Sequence, residues 1–379
     1  MNGAPLARYE ATLQGLARKD RLRTLKPCAG RDFSSNDYLG LAASKRLGEA
    51  VTAAIARGTP VGATGSRLLR GNAPEHEQLE ADAAAFFGAD RALFFGSGYI
   101  ANFALLTALP QKGDLLVLDE LVHASMHEGA QAGRAEFKLA AHNDVDAVED
   151  AIKRWRAEGG MGCVWIAVES LYSMDGDCAP LESLAALADR HNAFIVIDEA
   201  HATGVWGPDG RGLAAAFEGR DNIVALHTCG KALGASGGLV TGPRTLCQYL
   251  INRCRPFIYA TAPSPLMAVA AREALAMLAD EPMRRFQLHE RVALAGRQLV
   301  DRCGVTPSGS QIQPLVIGDV RRTMAVAARL QARGFDIRGI RPPTVPEGTS
   351  RLRISLTLNI GEADISAMLE ALVEVLAQI

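Results

Sequence analysis

The chain has 379 residues, of which 48% are hydrophobic and 22% charged, a globular composition with ample material for a core. Its formal net charge of −2 lacks the basic excess typical of nucleic-acid-binding proteins, so no nucleic-acid partner is expected. Neither an apolar run long enough to span a bilayer nor a secretory signal is visible, and we therefore expect a cytoplasmic protein without membrane association.

The seven cysteines indicate reduced thiols. Their number is odd and no Cys-x-x-Cys occurs, so we expect neither a disulfide framework nor a metal site. Cys229 lies close to Lys231, which raises the question of a nucleophile, but a small side chain that fills the end of a strand is the simpler interpretation.

The predicted elements begin with an N-terminal helical arm over residues 1–38. From about residue 75, short apolar runs alternate with helical stretches, which predicts βαβ units and a mostly parallel sheet. The predicted strands are 91–95, 114–119, 135–140, 163–169, 194–198, 223–228 and 238–241. The predicted helices between them are 76–87, 101–109, 146–158 and 181–191. These elements define a large α/β domain over residues 39–279.

A smaller α+β domain is expected over residues 280–379. Long helical stretches at 266–279 and 283–302 lead into it. Short strands at 313–316 and 351–356 then flank a helix at 322–333.

An acid and a lysine follow two of the predicted strands directly. Asp198 ends the run Phe194-Ile195-Val196-Ile197, and Lys231 comes shortly after strand 223–228. In an open α/β sheet, ligands bind at the carboxyl ends of the strands. An aspartate that faces a pyridinium nitrogen, with a lysine able to form a Schiff base, is the arrangement that pyridoxal 5'-phosphate (PLP) requires.

The string Asp198-Glu199-Ala200-His201 also occurs in helicase-type ATPases, which need a phosphate loop of the form Gly-x-x-x-x-Gly-Lys-[Ser/Thr]. The only Gly-Lys pair here is Gly230-Lys231, which lacks the upstream glycine and follows the acidic motif. The sequence thus excludes that class, whereas a role for Asp198 as a helix cap stays open.

Three further features are ambiguous when taken singly. The turn at 96–99 opens a helix after a strand and suits a phosphate, although many such turns contain glycine. His123 could stack on a flat cofactor or be an ordinary core or surface histidine. Ser173 follows a fourth predicted strand, and its position alone does not show whether it belongs to a binding site. Arg341 and Arg353 could bind carboxylates, but the chain has many arginines.

Together these segments resemble the α-oxoamine synthases, a family of PLP enzymes with the aspartate-aminotransferase fold. The matching segments, spread over nearly the whole chain, are 33–41, 98–99, 121–125, 173–177, 198–204, 228–231, 341–346 and 351–353. The resemblance implies PLP-dependent transferase fold type I, with a mostly parallel seven-stranded sheet between helices and a smaller C-terminal α+β domain.

The resemblance also implies roles for individual residues. The catalytic residues would be Lys231, His123, Asp198 and His201, with Lys231 bonded to PLP and Asp198 facing its ring nitrogen. The other cofactor-binding residues would be Gly98, Tyr99, Ser173, Thr228 and Thr261. The substrate-binding residues would be Arg23, Asn36, His123, Arg341, Thr344 and Arg353. Family members are homodimers, in which Thr261 would reach the phosphate in the partner subunit.

Within the family, segments 34–40, 141–145 and 341–346 resemble the branch that condenses L-alanine with a pimeloyl thioester, of coenzyme A or acyl carrier protein, in biotin biosynthesis. The alternatives are the 5-aminolevulinate synthase or 2-amino-3-ketobutyrate–CoA ligase type, or a non-catalytic PLP-binding homologue. Loop 62–71 departs from the usual glycine- and serine-rich form and contains the extra arginines Arg67 and Arg70.

Overall fold

The structure, a computed structural model, describes residues 5–379 and divides into two units. The larger unit comprises Leu39–Ser173 and Asp177–Arg285. The smaller unit combines the residues up to Tyr38 with Met174–Gly176 and Phe286–Ile379. The region predicted as a separate arm therefore groups with the C-terminal part of the chain; its first four residues lie outside the described residues.

Twelve strands occur among the described residues. They are β1 Arg31–Asp32, β2 Arg91–Phe95, β3 Leu115–Asp119, β4 Glu136–Ala140, β5 Val164–Glu169, β6 Ala193–Asp198, β7 Ile223–Thr228, β8 Gly238–Gly242, β9 Ile312–Gly318, β10 Phe335–Asp336, β11 Arg338–Ile340 and β12 Ser350–Ser355.

The larger unit contains one seven-stranded sheet of order β2-β8-β7-β6-β5-β3-β4. Strands β3 to β7 pair in parallel with one another, and β8 is antiparallel to both of its neighbours. The predicted mostly parallel seven-stranded sheet is confirmed. Every residue of β3, β5 and β7 is buried, which explains why these strands appear in the sequence as continuous apolar runs.

The helices of the described chain cover the strands and form much of the smaller unit. They are α1 Ala7–Arg18, α2 Lys45–Ala56, α3 Pro74–Phe87, α4 Gly98–Ala108, α5 Ala124–Ala132, α6 Val145–Ala157, α7 Leu181–His191, α8 Arg244–Arg253, α9 Arg255–Ile258, α10 Pro265–Asp280, α11 Met283–Cys303, α12 Val320–Ala332 and α13 Glu362–Ala377. None of them is long and apolar enough to cross a membrane within residues 5–379.

Helix α4 begins three residues earlier than predicted, at Gly98 instead of Ala101. The Ser97 side chain accepts a hydrogen bond from the Ile100 amide and caps the helix there, so the glycine lies in the first turn. Helices α2, α5, α8, α9 and α13 are absent from the sequence-based prediction.

The smaller unit contains two small sheets. Strands β11, β12 and β9 form an antiparallel sheet in that order, and β1 pairs with β10 in parallel. Helix α12 begins after Asp319, whose carboxylate accepts from the Arg322 amide, and so lies close to the predicted 322–333. The predicted α+β character of this region is confirmed.

Candidate active site

The carboxyl ends of the parallel strands in the large unit gather polar residues at one edge of the sheet. Strand β3 ends at Asp119, β5 at Glu169, β6 at Asp198 and β7 at Thr228. Because these strands run in the same direction, the segments that follow them emerge on the same side. Lys231 belongs to the segment that follows β7.

Asp198 is only 4% exposed, and both of its carboxylate oxygens accept hydrogen bonds. Oδ2 accepts from Asn102 Nδ2 at 2.6 Å, and Oδ1 accepts from the Ala200 amide at 2.8 Å. Asn102 is not among the residues predicted from the sequence. It lies one helical turn after Gly98, and this spacing was the signal that could have revealed it.

Lys231 and His201 are brought together by the structure. The Lys231 Nζ lies 2.5 Å from His201 Nε2. His201 is buried, and Lys231 is half-buried. A lysine held against an imidazole in a shielded position can exchange a proton with it.

His123 precedes α5 and caps it, because its Nδ1 accepts from the Ser125 amide at 3.2 Å and lies 2.8 Å from Ser125 Oγ. Burial lowers the pKa of the imidazole; the Asp198 carboxylate opposes this shift and the Lys231 ammonium adds to it. His123 is therefore neutral at neutral pH. The Tyr99 ring meets it edge-on at a centroid distance of 6.0 Å, and the Tyr99 hydroxyl donates to Glu128.

Gly98 and Thr228 lie close together at the start of α4. A Cβ on Gly98 would be 3.2 Å from Thr228 Oγ1, so a side chain at this position would crowd the hydroxyl. The Thr228 hydroxyl also lies 3.4 Å from the Gly230 amide, which donates to it. A helix N-terminus beside a threonine hydroxyl is suited to a phosphate monoester.

Ser173 is buried, and its amide donates to Glu169 Oε2 at 3.0 Å. Glu169, the last residue of β5, pairs in register with Asp198. This acid is not among the predicted site residues, although it ends an apolar strand as Asp198 does.

The predicted residues of the smaller unit form two groups. Arg353 is 7% exposed and donates to Ser355 Oγ at 2.8 Å, to Asn36 Oδ1 at 3.0 Å and to the Tyr38 hydroxyl at 3.3 Å. These acceptors are uncharged and fix the guanidinium in one orientation. Neighbouring Arg351 is instead bound to Asp175.

Arg23, Arg341 and Thr344 form the second group. Arg23 donates to Thr344 Oγ1 at 3.2 Å, and Arg341 donates to the Leu22 carbonyl at 2.9 Å. Burial lowers the pKa of Arg341, and the positive charge of Arg23 lowers it further. Two neighbouring guanidinium groups favour an anionic ligand.

Thr261 is exposed, and no side-chain contact joins it to the other predicted residues within the described chain. The following amide, of Ala262, donates to Gly65 and ties this segment to loop 62–71. In that loop Arg67 forms a bidentate pair with Glu80, at 2.7 and 3.0 Å, so this extra arginine is structural. Arg70 is exposed.

His142, part of the segment that singled out one branch of the family, bridges two carboxylates. Its Nδ1 lies 3.0 Å from Asp119, and its Nε2 lies 2.8 Å from Asp177 Oδ2. Asn143 connects the same two carboxylates. Its backbone amide donates to Asp119 at 2.7 Å, and its side-chain Nδ2 donates to Asp177 at 2.8 Å. This pair fixes the segments that follow β3, β4 and β5 relative to one another.

A buried carboxylate, a half-buried lysine, two histidines and a helix N-terminus thus share one edge of an α/β sheet. Such a set can hold an aromatic nitrogen cation and a phosphate, and can move a proton at the lysine. Among residues 5–379, no cluster of histidine, cysteine and acidic side chains could hold a metal ion.

The chain belongs to the aminotransferase class I and II family, whose family model matches residues 31–372. The 8-amino-7-oxononanoate synthase of Anaeromyxobacter dehalogenans is 42% identical, over 97% of this chain and 94% of its own length. The enzyme of the same name from Burkholderia thailandensis is 41% identical, over 95% of this chain and 94% of its own.

Solved structures give the same fold. Serine palmitoyltransferase from S. paucimobilis, with a bound PLP–myriocin aldimine, superimposes with a TM-score of 0.89 at 26% identity and covers 98% of both chains. The 8-amino-7-oxononanoate synthase of Francisella tularensis gives a TM-score of 0.76 at 25% identity, over 92% of this chain and 98% of its own.

Proposed function

We propose that this chain is a PLP-dependent 8-amino-7-oxononanoate synthase of biotin biosynthesis. It would condense L-alanine with a pimeloyl thioester and release CO2 and the free thiol. The observation that supports this most is the similarity to two synthases of that name over at least 95% of the chain. The presence of Asp198, Lys231 and His123 at one edge of the sheet is consistent with this activity.

The residues at this edge fit PLP. Asp198 is buried and suited to an aromatic N–H cation, because burial strengthens the attraction between the two charges. Gly98 and the Thr228 hydroxyl lie close together at the N-terminus of α4, where helix amides and the hydroxyl would hold the phosphate. Neutral His123 would present its flat face to the PLP ring. Tyr99 and Ser173 would lie beside the ring and phosphate positions.

Bound there, PLP would supply an electron sink for negative charge that develops at the substrate Cα. Lys231 is the group that would bond to the cofactor and, when displaced by the amino acid, remove the Cα proton. His201 hydrogen-bonds the lysine amine at 2.5 Å and so holds it in place. Because His201 contacts the lysine that would bond to the cofactor, it would also be the residue that holds the phenolic oxygen of PLP.

Substrate recognition would involve the predicted residues of the smaller unit. We assign the alanine carboxylate to Arg353, which Asn36, Tyr38 and Ser355 hold in orientation. The cationic group of Arg23 and Arg341, with Thr344, suits the distal carboxyl or ester end of the acyl chain.

We further propose a cytoplasmic homodimer, in which Thr261 contributes to the partner's site. A cytoplasmic location is supported by the seven cysteines, which are all free thiols. The thioester carrier is coenzyme A or an acyl carrier protein, and assays with both will decide between them.

The function is tested by incubating the purified protein with PLP, L-alanine and pimeloyl-CoA while measuring thiol and CO2 release. Equal amounts of both products are expected, and Lys231→Ala should abolish both. Borohydride reduction of the PLP-loaded protein followed by peptide mapping should place the label on Lys231. Bound PLP without turnover on any acyl thioester would favour a non-catalytic homologue instead.

A further inference from the structure

A second carboxyl group lies beside Asp198. Glu169 ends β5 as Asp198 ends β6, and the two are partners in the parallel register. Adjacent strands are about 4.8 Å apart, and paired residues of a parallel ladder point to the same face. Glu169 and Asp198 are 2% and 4% exposed, so both carboxyls are removed from water.

Hydrogen bonding distinguishes the two groups. Asp198 accepts from Asn102 Nδ2 through one oxygen and from the Ala200 amide through the other. Glu169 accepts from the Ser173 amide through Oε2 and is also approached by the His123 backbone amide, but Oε1 is buried without a close hydrogen-bond partner in the described part of the chain. Asp198 therefore has a close donor on each oxygen, whereas Glu169 has one on a single oxygen.

Two buried carboxylates on neighbouring strands repel each other, so one of them retains a proton. Burial raises the pKa of Glu169 to about 8, the negative charge of Asp198 adds to the rise, and Lys231 opposes it. The charged or titratable groups facing Glu169 are Asp198 on β6, Lys231 after β7 and Tyr172 after β5, and the His123 backbone amide also approaches it.

We propose that Glu169 is a positioning residue of the cofactor site, which lies beside Asp198 as a protonated carboxyl and so adds no second negative charge to this edge of the sheet. Neutral Glu169 still accepts from Ser173 and so orients the turn after β5. The inference rests on the proposed function in one respect, namely that PLP is the cofactor that binds at Asp198.

Infrared spectroscopy of the apoenzyme tests the protonation state directly, because a protonated carboxyl and a carboxylate absorb differently. Glu199, another fully buried acid, has a pKa raised by burial to about 7 and would contribute its own signal. Glu199 contacts the Leu213 and Ala214 amides, so Glu199→Gln is the matched control that leaves the carboxyl pair intact.

In Glu199→Gln we expect a carboxylic acid band that disappears as the pH rises through about 8, and we expect the double variant Glu169→Gln/Glu199→Gln to lack that band. The band in Glu199→Gln can be measured even if the double variant does not fold. Absence of any such band in Glu199→Gln, or its persistence in the folded double variant, would overturn the proposal.

The second experiment measures PLP affinity of the apoenzyme against pH. A cation bound at Asp198 lowers the proton affinity of Glu169, so binding should release a proton from Glu169. The affinity of the wild type should therefore rise relative to that of Glu169→Gln as the pH increases up to about 8, in total by about tenfold for each unit by which the pKa of Glu169 falls, and the ratio should be constant at higher pH. If the PLP affinities of the wild type and of Glu169→Gln change with pH in parallel, the role proposed for Glu169 is wrong. Failure to bind PLP at all would instead refute the proposed function, while the infrared result would still decide the protonation of Glu169.

Discussion

Asp198 combines burial with two hydrogen-bond donors, and it shows most clearly how a single side chain defines this site. Asn102 and the Ala200 amide each donate to one of its carboxylate oxygens and so fix the orientation of the carboxylate. A carboxylate removed from water attracts a cation more strongly than an exposed one.

We therefore expect Asp198→Asn to retain some PLP but to lose turnover by about a hundredfold or more, as when one preorganised electrostatic contribution to the transition state is removed. The amide preserves shape but cannot stabilise a pyridinium. Asp114→Asn is the matched control, because Asp114 is also a buried aspartate, yet its carboxylate accepts from the Gln111 and Cys163 amides near the start of β3. Turnover close to that of the wild type in Asp198→Asn would show that the role assigned to Asp198 is wrong.

At the scale of elements, the sequence predicted the strands of the large sheet best. Strands such as β5 and β7 are buried along their whole length, so each is a short apolar run bounded by polar residues. Since parallel strands end at one edge, the placement of Asp198 and of the segment that contains Lys231 at the same edge could be predicted as well.

Helix α5 shows why other elements could not be predicted. It contains Gly129, which weakens a helical pattern, but a Cβ there would lie 3.2 Å from the Phe103 backbone and 3.1 Å from the Leu106 side chain. The glycine permits close packing against α4, a tertiary requirement that no local pattern reveals. The contacts of Asn102 and His142 depend in the same way on distant segments.

The His142 bridge leads to a prediction about pH. Burial lowers the pKa of His142, but hydrogen bonds to Asp119 and Asp177 outweigh it and raise the pKa to about 10. The folded-state pKa lies above the unfolded value of about 6.5, so the stabilisation is complete below that pH and is lost as the pH rises towards 10.

Comparing urea unfolding of the wild type and His142→Asn should reveal this. We expect a difference of about 2 kcal/mol near pH 6, the contribution of a charge-assisted hydrogen bond, that shrinks steadily up to pH 10. His191→Asn, which removes a surface contact with Glu149, is the control. A difference for His142→Asn that does not vary with pH would mean that the bridge is not ionic.

At the scale of the whole molecule, large apolar side chains are exposed around the segment that contains Thr261. Val61, Leu69 and Tyr259 are 69%, 81% and 70% exposed, and the Ala262–Gly65 hydrogen bond joins the two segments on which they lie. Exposed apolar groups of this size on adjoining segments suit a protein–protein interface. The homodimer proposed from the family resemblance would use such a surface.

Mixing two inactive variants tests whether the sites are composite. In a mixed dimer of Lys231→Ala and Thr261→Glu, one of the two sites has both native residues. After subunit exchange we expect recovery of about a quarter of wild-type activity, because half of the dimers are mixed. Sedimentation at assay concentration provides the oligomeric state, and full activity from a monomer would rule the prediction out.

The last prediction concerns the choice of substrate. We expect L-alanine with a pimeloyl thioester to be used far better than glycine with a succinyl or acetyl thioester. One methyl group separates alanine from glycine and gives only about 1–3 kcal/mol of discrimination, so the acyl chain must supply the rest. Arg23 and Arg341 can do so by binding its distal end.

Competition assays should therefore show a steep dependence of kcat/KM on acyl-chain length and on the charge of the distal group. Arg341→Gln should reduce kcat/KM for pimeloyl-CoA by about tenfold or more, as expected for loss of a charged contact, but should change little with acyl chains that lack a polar end. Arg70→Gln is the matched control, since Arg70 is exposed in the atypical loop. A preference for glycine with succinyl-CoA would move the protein to the 5-aminolevulinate branch, leaving its fold and the chemistry of Lys231 unchanged.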